Sequence, residues 1–564
     1  MNKSCREKIL SDAYLDFILP GYRLETGWEG LGSEGCVQEL GFGYRSLHVE
    51  KEAVPEISFE RSGYNAIPLC YTLLDTGAMS QTGISALQNY PTLQLQGNGI
   101  MIGFIDTGIE YQNAVFRDMA GNTRIAGLWD QTIQTGEVPE GFLYGSEYTP
   151  EMINKALASE QPDDFVPSRD ENGHGTFLAS LAAGNGNRDN DFQGAAPQSV
   201  LGIVKLKEAK PSLKAFYAIR EDAVCYQEND ILAGLLYLHK LAQKKNLPLV
   251  ICVALGTNFG GHNGTGTLAD ILQSYASLID RCVVIGAGNE ASQRHHFQGQ
   301  LQPDTPEEVE IRVEGRSERG FTAELWARIP NVVSVHLVSP TGERSPEISI
   351  RQGNQFFYYF AFDQTRVEIE YRFLLNNNDS LLIFFRFQNP AEGIWKLVVT
   401  PLRVAEGMFH IWLPVQEFLE KNVYFLEANP NITVTEPGST YGAITVAYYS
   451  GTDNAVDINS GRGYTRSNLV KPDLAAPGVE VTGLLTANRF VKRSGSSIAA
   501  GITAGACALI MEWLKSQQTE ISTSPVANIL ILGAEQNRFS DYPNREWGYG
   551  TLDVYQALDR LRNL

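Results

Sequence analysis

The sequence predicts an α/β fold: a parallel sheet with helices on both faces, preceded by a small N-terminal α+β lobe and interrupted by an inserted β-sandwich. Three observations predict it. From about residue 75 to 295, short apolar runs alternate with stretches that are apolar at helical spacing, as a parallel sheet covered on both faces requires. From about 297 to 430 the period becomes two, with polar turns between short strands, as in a sandwich. The core-strand pattern then resumes at Ala443, Ile444, Thr445 and Val446, so the sandwich is inserted into the α/β unit rather than appended to it.

In chain order, 14–20 and 43–49 read as short strands of the N-terminal lobe. The runs 100–105, 200–205, 249–255 and 282–285 are long enough only for buried strands. Between them Ile231, Leu232, Leu235, Leu236, Leu238 and Leu241 recur at helical spacing after Asn229, a candidate cap. In the insert, 309–313 and 367–373 alternate strictly, and 321–329, 332–338, 347–351, 356–360, 381–387 and 393–400 add strands, suggesting a jelly roll. The expected division is 1–72, 73–296, 297–430 and 431–564, the second and fourth pieces forming one domain.

The chain has 564 residues, 43% hydrophobic and 20% charged, enough for several domains and a large core. Its net charge of -20 argues against a nucleic-acid or anionic-membrane partner. Seven scattered cysteines without a Cys-x-x-Cys pair read as small buried hydrophobes of a reducing compartment, not as a disulfide framework. Lys3, Arg6, Glu7 and Lys8 leave no apolar signal-peptide core at the start, and no run of about 18 apolar residues suggests a membrane span. A cytoplasmic or spore-associated location is the expectation.

Three short motifs carry chemistry. Ser497 follows Ser494-Gly495-Ser496 and opens a helix of small residues, where its hydroxyl is fixed and its own N–H is free to meet developing negative charge. The apolar run 100–105 ends in Asp106-Thr107-Gly108, a carboxylate at the C-terminal end of a parallel strand. Asn172-Gly173-His174-Gly175-Thr176 opens another apolar helix with a histidine between two glycines. Taken singly, each reads as a cap or a turn. Together, the order Asp106, His174, Ser497 is similar to the Asp, His, Ser order of the catalytic triad in subtilisin.

With these motifs the chain resembles the subtilisin-like serine proteases, or subtilases. Further segments share the resemblance: Gly194-Ala195-Ala196-Pro197 with the next strand, Ala254-Leu255-Gly256, Gly286-Ala287-Gly288-Asn289, 471–478 and 548–553. It implies that His174 is the base that takes the Ser497 proton and that Asp106 fixes its tautomer. It implies an oxyanion hole from the Asn289 amide and the Ser497 N–H, and a substrate strand paired with Ala254, Leu255 and Gly256 beside Gly286, Ala287 and Gly288. The family usually has Thr at position 496 and Pro at 501; here Ser496 keeps a hydroxyl, and Gly501 removes a rigid residue from the helix's first turns but no reacting group. Many subtilases carry an N-terminal prodomain that assists folding and blocks the site. The resemblance implies that role for residues 1–72, as a partner of its own enzyme, with the loop-like stretch 61–68 a candidate for the processed junction.

A prodomain, no visible signal peptide and a jelly roll before the nucleophile are similar to the Csp-type subtilases of spore-forming clostridia. Members of that group process the precursor of a spore-cortex-degrading enzyme in germination, and some have lost triad residues and act in signalling. The implied function is a serine endopeptidase acting on a protein or peptide substrate. The alternatives are a prodomain-capped scaffold and a general intracellular protease. No cofactor is implied. The oxygen-rich run 185–191 is a candidate calcium segment, although Arg188 interrupts it and its spacing is not that of an EF-hand. His295-His296 lacks companion ligands and reads as a surface loop. The glycines from Gly256 to Gly266 lack the Lys-Ser/Thr of a phosphate loop and suit a substrate-binding edge.

Overall fold

The apolar runs of the α/β region form one nine-stranded sheet in a computed structural model that describes residues 4–20, 36–54, 57–74, 94–348, 355–374 and 379–562, with Thr82, Ile84 and Gln88. Its spatial order is Ala455–Val456, Ile444–Ser450, Arg281–Gly286, Leu249–Val253, Met101–Asp106, Val200–Lys205, Ile125–Asp130 and Ser146–Tyr148, with Leu474–Pro477 also beside Ile444–Ser450. The interior pairings are parallel, and the edge strands Ala455–Val456 and Ser146–Tyr148 run antiparallel. Every residue of the strands 101–106, 249–253 and 281–286 is buried, which is why they read as unbroken apolar runs.

Helices cover both faces. On one side His174–Ala183 and Ser496–Ser516 bury Phe177, Leu181, Ile498 and Leu509 in a core shared with Ile102 and Val284. On the other, Glu228–Lys245 and Thr267–Ala276 pack Leu235, Leu238 and Leu272 against Ile251 and Val283. The helix Ser496–Ser516 is, among the described residues, the one long and apolar enough to cross a membrane. Its apolar window is 89% buried inside the protein, so its composition reflects a core position.

The N-terminal lobe is a three-stranded antiparallel sheet in the order Tyr14–Pro20, Tyr44–Glu50, Cys36–Gly41, with the capped helix Cys5–Leu10 on it. Phe17, Leu40 and Leu47 belong to the same core as Leu235 and Leu272, so the lobe shares its interior with the α/β domain. A buried polar tie accompanies this apolar contact. The Asp16 carboxylate accepts from Lys210 Nζ at 2.6 Å, from Gln227 Nε2 at 2.6 Å, and faces His48 Nδ1 at 2.7 Å. Burial alone would raise its pKa, but Lys210 and His48 hold this carboxyl well below its ordinary range.

The insert is a sandwich of two antiparallel sheets. One has the order His296–Gln300, Met408–Trp412, Phe321–Arg328, Ser380–Gln388, Thr365–Leu374, Gln355–Phe360. The other has the order Val332–Val338, Gly393–Arg403, Glu307–Val313, Val423–Phe425. Inward residues such as Ile311, Leu325, Ile383 and Trp395 fill the core between them. Part of the expected strand 347–351 lies outside the described residues.

Four expectations need correction. Cys5 and Cys36 form a disulfide, with Cα atoms 5.1 Å apart, while Cys70, Cys225, Cys252, Cys282 and Cys507 are free and buried. Only the packing of the first helix on the lobe's sheet brings those two positions together, and sequence spacing does not encode it. The pair His295-His296 is buried rather than on a surface loop. His295 Nδ1 faces Glu290 at 2.6 Å, and His296 Nε2 faces His410 Nδ1 at 3.0 Å. The helix expected after Asn229 starts at Glu228, capped by Gln227 without a side-chain bond. The run 249–255 is two strands rather than one: Leu249–Val253 stays in the central sheet, and Leu255–Gly256 leaves it for a small sheet of its own.

Candidate active site

Asp106 ends its strand beside the first turn of the helix His174–Ala183, and both side chains are buried. His174 Nδ1 lies 2.8 and 2.9 Å from the two Asp106 carboxylate oxygens. The carboxylate therefore holds the proton on Nδ1 and turns Nε2 to the opposite side of the ring. The helix start is fixed by a residue the sequence reading passed over. Asp170 accepts from the N–H of Gly173 at 2.7 Å and of Thr176 at 2.8 Å, and from the Thr176 hydroxyl at 2.7 Å. Gly173, with φ at 85°, makes the left-handed turn into the helix. An acid three residues before a helix-opening glycine was the available signal.

Ser497 lies in the first turn of its own helix. The two helices run side by side in the same direction. A Cβ added to Gly501 would stand 3.5 Å from the Leu178 carbonyl oxygen, and one on Gly505 would stand 2.7 Å from that of Ala182. Gly501 is four residues past Ser497 and Leu178 four past His174, and the same offset recurs one turn on. The helices are thus in register, and Ser497 and His174 stand at the same level at their N-terminal ends.

Ser496 and Ser497 have different surroundings. The Ser496 hydroxyl accepts from Gly288 N–H at 3.0 Å, and its N–H donates to Asn289 Oδ1 at 3.1 Å. The Ser497 hydroxyl is buried and has no hydrogen-bond partner among the described residues. One hydroxyl is thus committed to holding the glycine loop, and the other is left available to react. With Oδ1 of Asn289 engaged, the donor half of that amide is the end that can serve a carbonyl oxygen.

The site is occupied by the chain itself. Cys70–Leu73 pairs antiparallel with Leu255–Gly256 on one side and with Tyr226–Gln227 on the other. Leu73 faces Leu255, Thr72 faces Gly256, and Leu74 N–H donates to the Ala254 carbonyl at 3.2 Å. The Leu74 carbonyl then accepts the Ser497 N–H at 3.0 Å. Its side chain rests where a Cβ on Gly286 would stand 3.2 Å from Cδ1 and one on Gly256 3.0 Å from Cδ2. The segment lies as a bound peptide would, its last carbonyl on the N–H of the candidate nucleophile. Nothing in the pattern of 70–74 distinguishes this strand from any other short apolar run. The structure thus brings Ser497, Asn289, Ala254, Leu255, Gly256, Gly286 and Gly288 together around Leu74, and sets the Asp106–His174 pair at the level of Ser497 on the adjacent helix, without a hydrogen bond to its hydroxyl. Ala287 lies behind them, donating its N–H to Val446 and accepting from Thr435.

The run 185–191 forms the short 3-10 helix Arg188–Asn190, and Asn187 pairs with Phe192. Among the described residues no group of three or more His, Cys, Asp or Glu side chains is placed to hold a metal ion.

The model of the subtilase family, peptidase S8, matches residues 97–355 and 420–550. The structure is similar to that of the Clostridium perfringens CspB protease, with a TM-score of 0.76 and 29% identity, over 86% of this chain and 98% of that one. In sequence the chain is similar to C5a peptidase of Streptococcus pyogenes, 20% identical over 535 residues, which are 86% of this chain and 42% of that protein. It is also similar to the subtilisin-like protease SBT2.1 of Arabidopsis thaliana, 31% identical over 125 residues, covering 19% of this chain and 15% of that one. The chain spans less than half the length of these curated relatives.

Proposed function

The chain belongs to the subtilase family of serine proteases, and from that premise we propose that it is an endopeptidase that cuts its own chain after Leu74 and keeps the N-terminal lobe in its active site as a bound product. The observation that carries this reading is the Leu74 carbonyl on the Ser497 N–H, at the end of a strand paired with Leu255–Gly256. In the reaction Ser497 Oγ attacks the Leu74 carbonyl carbon while His174 takes the hydroxyl proton. The developing oxyanion is met by the Ser497 N–H and the Asn289 amide, and Asp106 stabilises the imidazolium. Collapse breaks the Leu74–Asp75 bond, His174 gives its proton to the leaving amine, and a water activated by the same histidine hydrolyses the acyl-enzyme. The stretch 61–68 is a poorer place for the cut, because Tyr64, Ala66 and Ile67 are buried and Tyr64 donates to Glu324 of the sandwich.

The likeness to the CspB protease supports a narrower reading, in which the substrate in trans is a protein zymogen processed in spore germination. A second reading is favoured by the filled site: a capped scaffold that keeps its triad without turnover. Labelling with a fluorophosphonate separates the two. A working Ser497 labels after limited removal of the N-terminal lobe, and Ser497→Ala does not. Failure of the trimmed wild type to label would decide for the scaffold.

A further inference from the structure

We propose that the pocket for the residue before the cut is built for a side-chain carboxamide, asparagine or glutamine, recognised by Thr435, and that Leu74 is a deliberately imperfect occupant. The inference rests on the reading of Leu74 as the residue before the cut. Gly256 and Gly286 lie against that side chain, and Thr435 stands against Gly256 and the neighbouring Gly288. A Cβ added at Gly256 would lie 2.6 Å from Thr435 Oγ1 and 3.0 Å from Leu74 Cδ2. One at Gly288 would lie 2.5 Å from the same hydroxyl oxygen. The Thr435 hydroxyl and the tip of Leu74 therefore both lie against Gly256.

Thr435 is fully buried, and its hydroxyl has no hydrogen-bond partner among the described residues. Its backbone is committed: the N–H donates to Ala287 and the carbonyl accepts from Gly438. The main chain of Thr435 is thus held in place, with its hydroxyl against Gly256 and Gly288 at the edge of the pocket. A buried hydroxyl left unpaired is costly, so its retention calls for a ligand that satisfies it. Asparagine has the branched shape of leucine, with a carbonyl oxygen and an NH₂ in place of the two methyls. It fits the space Leu74 fills and puts a polar atom in place of Cδ2, beside the same Gly256 that the threonine hydroxyl lies against. Glutamine brings the same group one methylene deeper. The carboxylate next in sequence, Glu436, is engaged with Ser439 and packs against Gly260, so it is not free to meet a cationic side chain. The apolar leucine lets the released lobe be held by its main-chain pairing while forgoing the contact that a true substrate makes, so a substrate can displace it.

The test is the rate of self-cleavage in the full chain. Leu74, Leu74→Asn and Leu74→Gln are each followed after pulse labelling, with Thr435 intact and in Thr435→Val, which removes the hydroxyl and keeps the volume. The carboxamides should be cut faster than leucine by on the order of tenfold, the ratio one neutral hydrogen bond supplies. Thr435→Val should abolish or invert that order, and Thr435→Ser should restore it. If Thr435→Val fails to fold, Thr435→Ala replaces it. Equal rates for all three residues, or an order unchanged without the hydroxyl, in protein whose Ser497 still labels would overturn the carboxamide pocket and leave the protease reading intact. Absence of any cut together with absence of labelling would remove both.

Discussion

Ser496 and Ser497 are neighbours on one helical turn, yet only one hydroxyl is spent on the scaffold. Ser496 takes the Gly288 N–H, and through its own N–H it orients Asn289, so the residue beside the nucleophile sets the angle of the oxyanion donor. Asn289→Ala removes one donor to the developing oxyanion while leaving ground-state pairing through Leu255–Gly256 in place. It should lower kcat about 10²- to 10³-fold with little change in KM, read on a peptide substrate with the lobe removed. A KM effect with kcat unchanged would make Asn289 a binding residue instead. At this scale the sequence was most readable, because the chemistry needs particular residue types in a fixed order. What it could not reveal were residues whose role depends only on where the chain passes, such as Leu74 and Thr435.

Strands and helices explain why those side chains meet. The parallel, in-register packing of His174–Ala183 on Ser496–Ser516 depends on the close approach at Gly505, which the run of small residues in the nucleophile helix allows. The apolar strands and the alternating strands of the insert were legible from period alone. The break at Ala254 was not, because an edge strand that leaves one sheet for another keeps the same apolar composition. Nor was the burial of His296, since a histidine at the join of two domains reads like one in a loop. Burial, with His262 close by, pushes the His296 pKa down to about 3, and burial pushes His262 down to about 4. Both are neutral in the fold, whereas the unfolded chain titrates near 6.5. Stability from this cause is complete above that value and is lost as the pH falls below it. For His296 the loss amounts to about 2 kcal/mol between pH 7 and pH 5. Urea melts at the two pH values should show a smaller difference for His296→Gln than for the wild type. An identical difference would mean that this ring is already charged in the fold.

The whole molecule is a protease domain held between a lobe it shares a core with and a sandwich inserted into its own chain. Among the contacts that fix the lobe are the apolar interior with Leu235 and Leu272, the buried Asp16–Lys210 pair, and the strand Cys70–Leu73 in the site. The Cys5–Cys36 disulfide fastens the lobe's first helix to its own sheet and not to the rest of the protein. A lobe cut at Leu74 would therefore stay by noncovalent contacts alone. The order of lobe, split α/β domain and sandwich was legible from the change of period near residue 297 and its reversal at Ala443. The return of the lobe's last strand into the site was not, because a contact between segments 182 residues apart, Leu73 and Leu255, leaves no local trace. Intact mass of the purified protein under denaturing conditions, with sequencing of the N-terminus of the heavier fragment, tests this most directly. The account predicts two chains in the wild type, the heavier beginning at Asp75, which travel as one species under native conditions, and a single uncut chain in Ser497→Ala. An uncut wild type, a fragment beginning elsewhere, or the same cut in Ser497→Ala would contradict it.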